Sequence, residues 1–190
     1  MEHRTNVKEA TMVNGVNLDA LGETIHALRE DPSLGEFQFR ARNKWVGGTH
    51  NRSTIKEFYG AGKEDAERTR AFRFDADEPP VLLGRDQGAN PVEYILHALA
   101  GCMTTTMVAH AAARGFTIES LESQLEGDID VRGFLGIADD VSKGFRDIRV
   151  TFRVKSDAPA AVLRELAENS PVYNTITKPV RVTVNVEKVS

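Results

Sequence analysis

The chain has 190 residues, 41% hydrophobic and 27% charged, with a formal net charge of −4, which predicts one soluble globular domain with a substantial core. Lys and Arg are scattered with no basic run, so nucleic acid is not the expected partner. A single cysteine, and a start (MEHRTNVKEA) with no apolar stretch behind a basic one, predict no secretory signal and a reducing cytoplasm.

Residues 1–36 read as an N-terminal extension, and 37–190 as the main domain. In the extension, Leu18, Leu21, Ile25 and Leu28 recur at helical spacing. They predict a short amphipathic helix that Asp31-Pro32 ends. From Phe37 the period becomes two: Phe37, Phe39 and Ala41 alternate with Gln38, Arg40 and Arg42. Gly47-Gly48 predicts a turn, 52–59 a second strand, 60–68 a loop, and 71–75 a third strand with Phe72 and Phe74 on one face. Pro79, Pro80, Gly84 and Gly88 mark 77–89 as an ordered loop. Asn90 then caps a long helix, with Pro91 at its first position, Glu93 at its third and Gly115 as its stop.

Over 94–113 this helix is apolar nearly all round. Its length and lack of formal charge would suit a membrane span. However, His97, Gly101, Thr104, Thr105, Thr106 and His110 favour a buried helix of a soluble protein, with no membrane partner. Strands are predicted at 124–132 and 146–155, and a helix at 158–168. A loop is predicted at 170–176, where Pro171 stops that helix. A last strand at 180–186 alternates Val180, Val182, Val184 and Val186 with polar residues. The class is α+β with mainly antiparallel sheet. One small sheet covers only one face of so apolar a helix, so a homodimer is expected.

Cys102, inside the long helix, can be an inert core thiol or a reactive one. Thr105 and Thr106 share its helix face and offer hydroxyls. His3, His26, His50, His97 and His110 show no metal-ligand spacing with it, and no nucleotide-binding glycine motif is present. No metal and no cofactor are expected.

Four stretches then carry a family resemblance: KWVGGTHNRSTI (44–55), GRDQGANPVEYILHALAGCMTTTM (84–107), SPVYNTI (170–176) and the closing valine strand. Together they resemble the OsmC/Ohr family of thiol-dependent hydroperoxide reductases. The extension VNGVNLDALGETIHALREDPSLGEFQFRA resembles that of one OsmC-like branch. The resemblance implies an OsmC-like fold, with antiparallel sheets wrapped around a long central cysteine-bearing helix in an intertwined homodimer. It implies that Cys102 attacks the peroxide, while Ser170 stands where a second cysteine would resolve the sulfenic acid. Without that cysteine, an external thiol is the expected reductant.

The family also implies an arginine from the first hairpin that activates the thiol and binds the peroxide, and a glutamate that orients it. Thr49 follows the double glycine where the Ohr branch has its arginine, and Val92 follows the proline where the family has its glutamate. Arg52 and Glu93 are the nearest candidates, with Arg85 next. The resemblance leaves two functions open. One is a one-cysteine organic hydroperoxide reductase in oxidative-stress defence. The other is a non-catalytic relative that binds a small apolar ligand at the dimer interface.

Overall fold

The computed structural model describes residues 10–178 and 180–189. The chain separates into two compact units, Met1–His97 and Ala98–Ser190.

The N-terminal unit opens with a hairpin of β1 (Met12–Val13) and β2 (Val16–Asn17). Its turn is Asn14-Gly15, at φ 52 and 77. Asn-Gly is the pair that tolerates positive φ at both positions, and the turn's twist matches that of the strands. Asn17 then caps α1 (Leu18–Glu30), accepting from the Ala20 N–H at 3.0 Å. The predicted amphipathic helix is present, yet none of its residues is buried.

A small sheet joins β3 (Gln38–Phe39), β6 (Phe58–Gly60) and β7 (Lys63–Glu64), the last lying inside the stretch predicted as loop. The rings of Phe37, Phe39 and Phe58 pack with centroids 5.7–6.4 Å apart. The main sheet has the order β4 (Arg42–Gly47), β5 (His50–Ile55), β8 (Phe72–Ala76), all antiparallel. Gly48, at φ 58, makes the predicted turn between β4 and β5.

The loop after β8 folds back onto it. A Cβ at Gly84 would run into the Glu78 carbonyl, and one at Gly88 into the Asp75 carbonyl, so both close approaches depend on glycine. Then α2 (Pro91–Ala113) begins in a capping box. Asn90 Oδ1 accepts from the Val92 N–H at 3.0 Å, and the Glu93 carboxylate accepts from the Asn90 N–H at 2.8 Å. At the other end Gly115 takes φ 79. Phe116 N–H donates to Ala111 O and Gly115 N–H to Ala112 O, a Schellman closure.

The C-terminal unit is built on a long hairpin of β9 (Ile118–Asp128) and β10 (Asp147–Ser156). The short helix α3 (Val131–Phe134) lies in their connection, and α4 (Ala160–Glu168) and α5 (Pro171–Thr177) come after β10. β9 begins six residues before the predicted 124. Leu99, Met103, Met107 and Ala111, four residues apart, form one stripe of α2. Against it pack Leu163, Leu166 and Ala167 of α4 and the inward residues of β10, Ile148, Val150, Phe152 and Val154. The buried residues of α2 are Leu99, Met103, Met107, Ala111 and Ala112. Burial on all sides is therefore not reached within one chain.

Two sequence expectations are corrected. Pro171 does not open a loop: Ser170-Pro171 starts α5, with serine as cap and proline at the first position. The valine segment 180–186 forms no strand, and Val182, Val184 and Val186 are 77%, 78% and 87% exposed. Alternation specifies which face of a strand would be buried. It does not supply a neighbouring edge, and no described strand pairs with this segment.

Candidate functional site

Cys102 is a free, half-buried thiol in the middle of α2. The Thr105 hydroxyl, three residues on, donates to the Gly101 carbonyl at 2.9 Å, so its hydrogen is spent inside the helix. Ser170 is fully buried and its hydroxyl accepts from the Tyr173 N–H at 3.2 Å. Ser170 is thus the cap of α5.

In the N-terminal unit the β5–β8 register places Arg52 opposite Asp75. His50, two residues from Arg52, shares their face of the sheet. Asp75 Oδ1 receives Arg52 Nε and Nη2, each at 2.9 Å, and His50 Nε2 at 2.7 Å. The His50 hydrogen bond first, and the Arg52 one next, hold the Asp75 carboxyl below its ordinary range. Phe74 points to the opposite face and meets the Tyr94 ring edge-on at 6.2 Å. The Tyr94 hydroxyl donates to the Asp75 carbonyl at 2.7 Å. The first turn of α2 therefore packs on the Phe74 face, while the Arg52–Asp75–His50 group occupies the other. Glu93 is engaged in the capping box, so the acid on Arg52 is Asp75. Sequence alone could not expose that pair, because it needs the register.

A second acid was also hidden from the sequence. Asp77 is 2% exposed and accepts four hydrogen bonds. Its Oδ1 takes the Thr49 hydroxyl at 2.6 Å and the Glu78 N–H at 2.9 Å. Its Oδ2 takes the N–H groups of Arg85 at 3.0 Å and Gln87 at 3.2 Å. The Thr49 bond leads and the backbone donors add to it. Against the cost of burial they lower the carboxyl to about 2. Asp77 thereby ties the Gly47-Gly48 turn to the loop after β8. Between turn and loop lies a cavity of about 390 Å³, lined by Gly48, Thr49 and His50 on the turn and by Leu83, Arg85 and Gln87 on the loop. A second cavity, about 540 Å³ and largely apolar, lies in the C-terminal unit among Met103, Met107, Val150, Phe152, Leu163 and Tyr173.

An α+β chain with antiparallel sheets, a capped helix carrying one cysteine at its middle, and an Asn-Pro start to that helix define an OsmC-type protein. A family model described as OsmC-like protein matches residues 84–185, more than half of the chain, and the chain belongs to that family. No curated protein matches it in sequence. Among solved structures it is similar to an OsmC-like protein of Mycoplasma pneumoniae, at 18% identity and a TM-score of 0.54, covering 74% of this chain and 87% of that one. It is also similar to an OsmC-like protein of unknown function from Vibrio cholerae, at 13% identity and a TM-score of 0.51, covering 73% and 92%. At these identities the likeness shows the shared fold.

Proposed function

We propose that this OsmC-like protein is a one-cysteine, thiol-dependent reductase of organic hydroperoxides, acting as a cytoplasmic homodimer. The observation that carries the reading is Cys102 itself. It is the only thiol in the chain, it lies within the family-matched region, and it is half-buried rather than sealed in the core. Its thiolate sulfur attacks the terminal peroxide oxygen and the O–O bond breaks. The other oxygen leaves as alkoxide and takes a proton to become the alcohol. Sulfur loses two electrons and ends as sulfenic acid. Ser170 cannot trap that product, so an external thiol forms a mixed disulfide with loss of water. A second thiol then releases Cys102 and leaves a disulfide of the two reductants. A guanidinium beside a cysteine sulfur favours the thiolate. The dimer is supported by the unburied apolar surface of α2, where Ile95 is 41% exposed, and by Trp45 and Phe134, each 70% exposed.

The test is intact-mass analysis after treatment with an organic hydroperoxide at neutral pH without added thiol. Oxygen adducts confined to Cys102, reversed by a small thiol at the sulfenic stage and absent from Cys102→Ser, are expected. An unmodified Cys102 in folded protein would sink the reading. The apolar cavity of about 540 Å³ favours a second one, in which the protein carries a small apolar ligand and Cys102 is structural.

A further inference from the structure

We infer that α1 is a docking element for a second copy of this chain, and that the α1 helices of two copies pair antiparallel along Leu18, Leu21 and Ile25. The inference goes beyond the reductase reading, which gives residues 1–36 no role. Three observations lead to it.

The first is that α1 is held firmly yet covered poorly. At its start the Leu18 N–H donates to the Thr11 carbonyl at 2.9 Å, and the Asp19 carboxylate accepts from the Thr11 N–H at 2.9 Å. At its end the Asp31 N–H donates to the Ala27 carbonyl at 2.9 Å, and Asp31 Oδ1 accepts from the Ser33 N–H at 3.0 Å, capping the 3-10 turn Pro32–Gly35. Leu28 rests against Gly35, and Leu34 of that turn against Gly62 in the β6–β7 connection. A helix of 13 residues is marginal by itself and takes its stability from a packed apolar face. Leu18 and Leu21 are only half-buried, and Ile25 is 40% exposed.

The second is Gly22, on the shoulder of that stripe, one turn after Leu18 and one turn before Ile25. Glycine weakens a helix interior, and a Cβ here would meet nothing within 4 Å in its own chain. The fold of one chain therefore does not require it. At the edge of an apolar stripe it gives another helix room to come close.

The third is charge, which selects the occupant. Asp19, Glu23 and Glu30 lie on the side away from the stripe, and the one charge at its border is Arg29. Three acids against one arginine oppose an anionic lipid surface, which interfacial helices hold through Lys and Arg. A second copy suits the same charges. An antiparallel two-fold that sets Leu21 across from Ile25 also brings Arg29 alongside Asp19 of the second copy, on the shoulder that carries Gly22. Among the described residues Arg29 makes no ion pair within its own chain. A parallel pair would set Arg29 beside its own copy and align the two macrodipoles, whereas the antiparallel pair opposes them. A helix of 13 residues is about 20 Å long, and a pair of that length buries less than the ~1,200 Å² of a stable interface. The pair is thus a clasp, effective because a larger contact already holds the two chains together.

The experiment uses the full-length protein with Cys102→Ser, so that introduced thiols are the only ones. Chains carrying Leu21→Cys and chains carrying Ile25→Cys, differently tagged, are co-expressed, isolated through both tags and oxidised. A disulfide joining the two kinds of chain is expected on a non-reducing gel, with Leu21→Cys alone and the outward control Glu23→Cys unlinked. Leu21→Cys linked to itself would mean parallel pairing, and no link at all would mean no pairing; either result overturns the inference. In the otherwise natural chain, Leu21→Glu with Ile25→Glu should weaken self-association about tenfold or more by sedimentation, with the far-UV circular dichroism of a folded protein. An unchanged association overturns the inference and leaves the homodimer standing, while a wild type that sediments as a monomer overturns both. Binding of the wild type to phosphatidylglycerol vesicles, lost in the double glutamate variant and accompanied by no disulfide link, would assign the face to lipid and overturn the inference as well.

Discussion

At the heart of the N-terminal unit lies Asp77, a carboxylate 2% exposed that gathers four hydrogen-bond donors from a turn and a loop. The corresponding place in the C-terminal unit belongs to Leu166, fully buried among the α2 stripe, α4 and the aliphatic face of β10. Burying a charge is costly unless its oxygens are satisfied, so the Asp77 arrangement is directional and fails if one donor moves. Burying leucine is favourable in almost any direction, so its neighbours can adjust. The polar unit can therefore hold a loop in an unusual conformation, and the apolar unit can hold a helix in place.

Removing apolar volume should have the larger effect on stability. Leu166→Ala is expected to cost about 2–5 kcal/mol, read from the urea midpoint by far-UV circular dichroism. A change below about 1 kcal/mol would show that this core is not close-packed and would erase the contrast.

Acid should then act selectively on the polar unit. The Asp77 carboxyl lies at about 2 in the folded protein against an ordinary 3.8, so folding favours its ionised form. That contribution is complete above the ordinary value and is lost as pH falls through it towards about 2. The gap in melting temperature between wild type and Asp77→Asn should be widest near pH 5 and narrow steadily below about pH 4. A gap independent of pH would mean that geometry, and not charge, holds the loop.

The smallest effect is expected at Ser170. Ser170→Ala should destabilise by about 1 kcal/mol through loss of the α5 cap, measured by the same urea titration. No change would mean that the Ser170 hydroxyl contributes nothing to holding α5.

Much of this was legible in the chain. The α2 boundaries were, because Asn90-Pro91, Glu93 and Gly115 each supply a cap with its own mechanism. The same serine-proline logic applies at Ser170-Pro171, where the proline also reads as a stop. The residues beyond the proline decide between the two, and Val172, Tyr173 and Asn174 continue as helix. The Asn14-Gly15 hairpin carried its own turn signal, but its strands are two residues long and too short to show alternation. Site residues were less legible. Alternation placed Asp75 on the face opposite Phe72 and Phe74, yet only the register puts Arg52 across from it. For Asp77 the four partners are three backbone N–H groups and one hydroxyl, groups with no pattern in sequence. The valine segment shows the opposite failure, a clear alternation with no edge to pair with.

The place of Cys102 along α2 carries one more consequence. It lies eleven residues beyond Pro91, about 16 Å up the axis at 1.5 Å per residue. The positive end of the helix macrodipole fades within the first turn, so it lends this sulfur no field. Thiols activated from a helix N-terminus have their reactivity bound to the integrity of that terminus. Here the two are uncoupled. Frayed or restored caps at Asn90 leave the mid-helix field at Cys102 unchanged.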